Sequence, residues 1–109
     1  MMTSDPLLRR WLLDYNTRHF AGCLPVDRIT VFWEPCGKNS ATTQLVDGDE
    51  YVIRIDPAAL AIPRHAKVDL HHEMVHVKNW PYRRLKDHGA RFDSEIQRLC
   101  GIKSYRKLL

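Results

Sequence analysis

Residues 70–76 read L-H-H-E-M-V-H, from Leu70 to His76, and hold three histidines and one glutamate. Their meaning turns on the period of the surrounding chain. Pro63 can open a helix and Pro81 forbids its continuation, so a helix is expected over Arg64 to Asn79. At about 100° per residue, His76 falls about 40° from His72 and about 6 Å further along the axis. His65 and Asp69 share that stripe, and Glu73 lies beside it. Ala66, Leu70, Met74 and Val77 make one apolar flank, and Val68 and Val75 make another. A helix with two apolar flanks is expected at the centre of a fold. Lys67, His71 and Lys78 form the sector left for water, which makes His71 an expected surface residue.

His72, Glu73 and His76 thus form H-E-x-x-H on one helix. Two imidazoles one turn apart point the same way and can reach one zinc ion at about 2.0–2.1 Å. The glutamate is displaced enough to reach a water on that ion rather than the ion itself. It can act as general base, since zinc lowers the pKa of its water from 15.7 to about 7. Catalytic zinc usually takes a third protein ligand. Candidates are His65, Asp69, His88 and Glu95. The first two share the helix with His72 and His76, and one helix bends too little to wrap an ion three times. His88 is preferred, in K-D-H-G-A-R-F, where the turn at Asn79-Trp80-Pro81 lets the chain fold back and Gly89 permits close approach. Asp93 and Glu95 stand behind it.

Upstream, S-D-P-L-L-R-R-W reads as a helix start, with Ser4 or Asp5 as cap and Pro6 in the first turn. Leu8, Trp11, Leu12 and Tyr15 share its inner face, and Gly22 and Pro25 end the region. R-I-T-V-F-W-E, Arg28 to Glu34, reads as a strand, with Ile29, Val31 and Trp33 alternating with Thr30 and Phe32. A-T-T-Q-L-V and E-Y-V-I-R-I-D form a hairpin about Asp47-Gly48, stopped by Asp56-Pro57. A last helix is expected from His88 or Gly89 to Cys100, with Gly101 as its stop. Strands grouped between helices imply an α+β domain with an N-terminal helix, a three-stranded antiparallel or mixed sheet, a central H-E-x-x-H helix and a C-terminal helix.

The 109 residues suit one domain, 1–109. No apolar run approaches the roughly 20 residues of a membrane span, and the N-terminus lacks the pattern of a signal peptide. The cytoplasm is the expected compartment. Three cysteines without a C-x-x-C, Cys23, Cys36 and Cys100, argue against a disulfide framework or a cysteine zinc ribbon and are expected to be reduced and mostly buried. The net charge is +4, with a late excess at Arg83, Arg84, Lys86, Arg91, Arg98, Lys103, Arg106 and Lys107. Such an excess is compatible with nucleic acid or with a solvated face.

Five features in order resemble the SprT-like zinc metallopeptidases, the family of bacterial SprT and the DNA-repair protease Spartan. They are Y-N-T-R-H-F-A-G-C-L-P, I-T-V-F-W, Y-V-I-R-I-D-P-A-A-L, L-H-H-E-M-V-H and D-H-G-A-R-F-D-S-E-I-Q-R-L. The resemblance covers nearly the whole chain. It implies a minimal zincin-like domain, one catalytic zinc held by His72, His76 and His88, Glu73 as general base, and cleavage of proteins, in Spartan-like members those crosslinked to DNA. The alternative is a DNA-associated binding module whose zinc is structural or vestigial and which cleaves nothing. Related peptidases take substrate as an added strand on the sheet edge, for which Tyr51–Asp56 is the candidate. The family's Ala-Gly pair between its first strands is replaced by Ala41-Thr42. With no C-x-x-C to build a zinc ribbon, DNA contact, single-stranded or crosslinked, is expected from the domain itself or from a partner; within the domain the candidates are Arg83, Arg84 and Lys86 and the tail K-S-Y-R-K on phosphates, and Trp80 and Tyr82 on bases. Packing under the ligand loop is the competing role for both aromatics. Tyr82 is also the candidate oxyanion donor. A monomer with no membrane contact is expected.

Overall fold

A computed structural model describes residues 3–80 and 88–107. Helix α1 spans Pro6–His19, strands β1, β2 and β3 span Ile29–Trp33, Ala41–Val46 and Glu50–Ile55, and helices α2, α3 and α4 span Pro63–Lys78, Ala90–Cys100 and Lys103–Arg106. Among the described residues this is an α+β arrangement of four helices on a three-stranded sheet. Local chemistry sets the ends. Asp5 caps α1, its carboxylate accepting from the Leu8 N–H at 3.0 Å, and Pro6 takes the first helical position. Beyond α1 the chain turns through Ala21 and Gly22, both at positive φ. Asn16 clamps that turn, its main-chain carbonyl accepting from Gly22 N–H and its side-chain oxygen from Leu24 N–H. Asp47 and Gly48, also at positive φ, turn the hairpin between β2 and β3.

The sheet is mixed, in the order β1-β3-β2. β3 pairs in parallel with β1, Val31 opposite Ile53, and antiparallel with β2, Thr43 opposite Ile53. Tyr51–Asp56 is therefore the middle of the sheet, not the edge expected of it. Val52, Ile53 and Ile55 are all buried, as suits a central strand with apolar residues on both of its faces. β2 is an edge instead, because the hairpin returns the chain between β1 and β2. The other edge is partly closed near the N-terminus, where Val31 N–H donates to Ser4 Oγ and Val31 carbonyl accepts from Asp5 N–H.

The core lies between the sheet and α1, α2 and α3, built from Leu8, Leu12, Val31, Ile53, Leu70 and Leu99 among others. Helix α2 contacts β2, β3, α1 and α3 and is central, as its two apolar flanks imply. Its third sector differs from the expectation. His71 is fully buried, not a surface residue. Its Nδ1 pairs with the Lys67 carbonyl at 2.8 Å, and its Nε2 lies 2.7 Å from His19 Nδ1. A carbonyl can only accept, so His71 carries its proton on Nδ1 and accepts at Nε2. His19 must then donate from Nδ1 and accept at Nε2 from Ser104 Oγ, 2.7 Å away. Tyr15 and Tyr105 pack their rings on these imidazoles. Burial pushes the His71 pKa down to about 4, outweighing the Lys67 carbonyl, so both rings stay neutral and the chain of hydrogen bonds is consistent. The flanking lysines are engaged too, Lys67 over the Trp11 ring and Lys78 on Glu95. The tail K-S-Y-R-K is docked by the same cluster: it forms α4, with Tyr105 in the core, and leaves Lys103, Arg106 and Lys107 outside.

The cysteines are less buried than expected. Cys23 is exposed in the turn after α1, and Cys36 and Cys100 are half-buried. No described helix is long and apolar enough to cross a membrane.

His71→Ala should destabilise the protein by about 2–4 kcal/mol in urea unfolding, because it opens a cavity and strands the His19 donor. A loss below about 0.5 kcal/mol would show that the His71–His19 bond does not hold α2 to α1.

Candidate metal centre

His72 and His76 project from α2 one turn apart, and His88 comes to them from the segment before α3. His72 Nε2 lies 3.2 Å from His76 Nε2, and His88 Nε2 lies 3.1 Å from His76 Nε2. One nitrogen from each ring falls within 4.8 Å of both others. Three imidazoles that converge by the same nitrogen cannot satisfy one another, since His76 Nε2 has at most one proton to share between two neighbours. A cation that accepts all three lone pairs resolves this. Tetrahedral bonds of about 2.0–2.1 Å put neighbouring ligand atoms about 3.3–3.4 Å apart, close to the 3.2 and 3.1 Å separations of these nitrogens. His72, His76 and His88 therefore fit a divalent metal ion.

The elements explain the convergence. The Phe92 ring, on the first turn of α3, lies 4.9, 5.0 and 4.7 Å from the rings of His72, His76 and His88. It forms an apolar floor under all three. Among the described residues, the other candidate ligands do not join this cluster. His65 and Asp93 are exposed, and Ser40 Oγ donates to Asp69 at 3.2 Å. Glu95 is buried between Lys78 and Arg98, with Lys78 Nζ at 2.8 Å. Burial raises its carboxyl pKa, but the hydrogen bonds and charges of Arg98 and Lys78 outweigh that and leave it below the usual range. A second bond, from Arg98 to the His19 carbonyl, ties the same cluster to α1.

Glu73 is buried, beside the ligand stripe as the helical period implies. One carboxylate oxygen, Oε2, lies 4.0 Å from His72 Nε2. The other, Oε1, accepts from Thr43 Oγ1 at 2.7 Å. Burial lifts the Glu73 pKa to about 7, against the pull of the Thr43 hydroxyl and with a push from Asp69. Burial also lowers His72, with His88 adding to the effect and Asp69 opposing it. A neutral imidazole is the form that binds metal.

A cleft of about 460 Å³ opens over these groups. Asn39, Ala41, Thr42 and Thr43 line one side, and His88 and Trp80 the other. Trp80 stands edge-on to the Tyr51 ring at 5.8 Å, so it packs on the sheet and also faces the cleft. Tyr82, Arg83, Arg84 and Lys86 lie outside the described residues, as does any oxyanion role for Tyr82. Sequence reasoning missed Thr43. Its signal was weak: a polar β-branched residue whose same-face neighbours two residues away on the strand, Ala41 and Leu45, are apolar.

No protein-family model matches the chain, and no curated protein matches it.

The metal-free protein should bind one equivalent of a divalent transition-metal ion such as Co(II), with a rise in Tm that a chelator reverses. His88→Ala should weaken that binding at least about tenfold, and unchanged affinity would remove His88 from the site. Glu95→Gln should cost about 1–2 kcal/mol near pH 7, discounted because Lys78 and Arg98 are partly in water. The folded carboxyl sits below its ordinary 4.5, so this stabilisation is present above that pH and is lost as pH falls further. Wild type and variant should therefore converge in acid unfolding curves.

Proposed function

We propose that the chain is a zinc-dependent endopeptidase of the SprT-like, zincin-like kind, with His72, His76 and His88 as ligands and Glu73 as general base. The observation that carries this is the placement of Glu73 Oε2 4.0 Å from His72 Nε2, beside three converging imidazole nitrogens and facing an open cleft. A structural zinc site is closed by protein ligands, whereas a catalytic one keeps a position open. Three histidines and a carboxylate set just beyond bonding reach match the second pattern.

Zinc bound there would supply Lewis acidity toward a peptide carbonyl and an attacking water. Glu73 takes the proton of that water at Oε2 and delivers it to the departing amine nitrogen as the C–N bond breaks. Phe92 and the buried face of α2 hold the ligand rings and limit water behind them. The outer edge of β2 carries no paired strand among the described residues and runs past Glu73. A peptide added along that edge would present its carbonyl to the cleft, its main chain held by β-type hydrogen bonds. Protein substrates fit this mode better than small molecules, because the cleft is open at the strand edge.

The late basic residues favour DNA-associated or DNA-crosslinked proteins as substrates. Arg91, Lys103, Arg106 and Lys107 are exposed, and Arg83, Arg84 and Lys86 add charge between His76 and His88 in the sequence. A DNA-associated module that holds metal but cleaves nothing is the other outcome of the same experiment. Zinc-loaded protein is incubated with casein or histone, with and without single-stranded DNA, beside Glu73→Gln. The wild type should cleave, more so with DNA. Glu73→Gln should keep its zinc and lose about 100-fold or more of the rate. Full cleavage by that variant excludes Glu73 as base. Salt-sensitive DNA binding without cleavage by zinc-loaded wild type would favour the module.

A further inference from the structure

Resting on the peptidase reading above, we infer that Thr43 is the positioning residue of Glu73, fixing which carboxylate oxygen faces the metal ligands. Glu73 reaches the centre through a long side chain whose last torsion is broad and roughly two-fold. Left alone, its carboxylate could turn either oxygen, or its edge, toward the cleft. Thr43 removes that freedom. Its Oγ1 lies 2.7 Å from Glu73 Oε1 and 3.5 Å from the Glu73 main-chain carbonyl, so its one proton goes to the nearer oxygen. With Oε1 held, Oε2 is left on the side of His72.

Three features make Thr43 suited to this. It is β-branched, so its χ1 is stiff and its hydroxyl has few alternative directions. It sits on a strand, opposite fully buried Ile53, which fixes the backbone beneath it. It also faces a carboxylate with 5% exposure, where little water can replace the lost bond. Thr43 lies on the strand a substrate would extend, so substrate docking and orientation of the base share one element. No other described side chain is bonded to Glu73 by hydrogen bond in this structure.

The test compares Thr43→Val, which swaps the hydroxyl for a methyl of similar size, with Thr43→Ser, which keeps the hydroxyl. Zinc content, KM and kcat are measured for each. Thr43→Val should hold one zinc and keep KM within about twofold while kcat falls about tenfold or more, the value of a hydrogen bond to a charged group. Thr43→Ser should recover kcat to within about threefold of wild type. An unchanged kcat in Thr43→Val, a change confined to KM, or a Thr43→Ser as poor as Thr43→Val each overturns the assignment. A second measurement needs neither metal nor turnover: a double-mutant cycle of Thr43→Val and Glu73→Ala in urea unfolding of the metal-free protein. Coupling of about fivefold or more in the unfolding constant supports the pairing, and additive effects overturn it. If zinc-loaded wild type cleaves nothing, the peptidase reading fails by itself and the cycle alone decides the pairing.

Discussion

A helix packed on several sides must find a partner for each polar group it turns inward, and α2 turns polar groups in three directions. Glu73 faces the sheet, where Thr43 meets it. His71 faces α1 and α4, where His19 and then Ser104 meet it. His72 and His76 face α3, where His88 and the Phe92 ring meet them. The first two sets close within the protein. The third brings three like nitrogens together, an arrangement that fits a cation. The neighbours of α2 are thus arranged by the need to satisfy its polar side chains as much as by its apolar ones.

The sheet order follows from the same packing. The run Y-V-I-R-I puts apolar side chains on both faces of β3, as suits the middle strand of the sheet. The hairpin at Asp47-Gly48 then sends β2 to the outside, next to Glu73. β2, whose outer edge carries no paired strand among the described residues, lies beside the carboxylate.

Electrostatics hold His88 near α2 at a distance. Glu95 on α3 joins Lys78 at the end of α2 to Arg98, and Arg98 reaches the His19 carbonyl at the end of α1. Three helices are tied through one carboxylate. His88 precedes the first turn of α3 by two residues, so whatever fixes α3 against α2 fixes its approach to His76. A carboxylate that resembles a metal ligand by type acts here as a brace between helices.

The sequence by itself determined the elements and the main line of the site. Period and caps fixed the start of α1 and both ends of α2 and α3 to within a residue or two, alternation marked β1, and the spacing of His72, Glu73 and His76 placed them on one side of α2, because these are local consequences of backbone geometry. The mixed order of the sheet, the burial of His71, the docking of the tail through Tyr105 and the bond from Thr43 to Glu73 were decided by tertiary structure. Each depends on a partner far along the chain: His19 is 52 residues from His71, and Thr43 is 30 from Glu73. Asn16 and His19 did continue the inner stripe of α1 through Leu8, Leu12 and Tyr15, which was a legible sign of buried polar partners. A helical wheel shows which way a side chain points, but whether water or another side chain waits there is set by how distant segments pack.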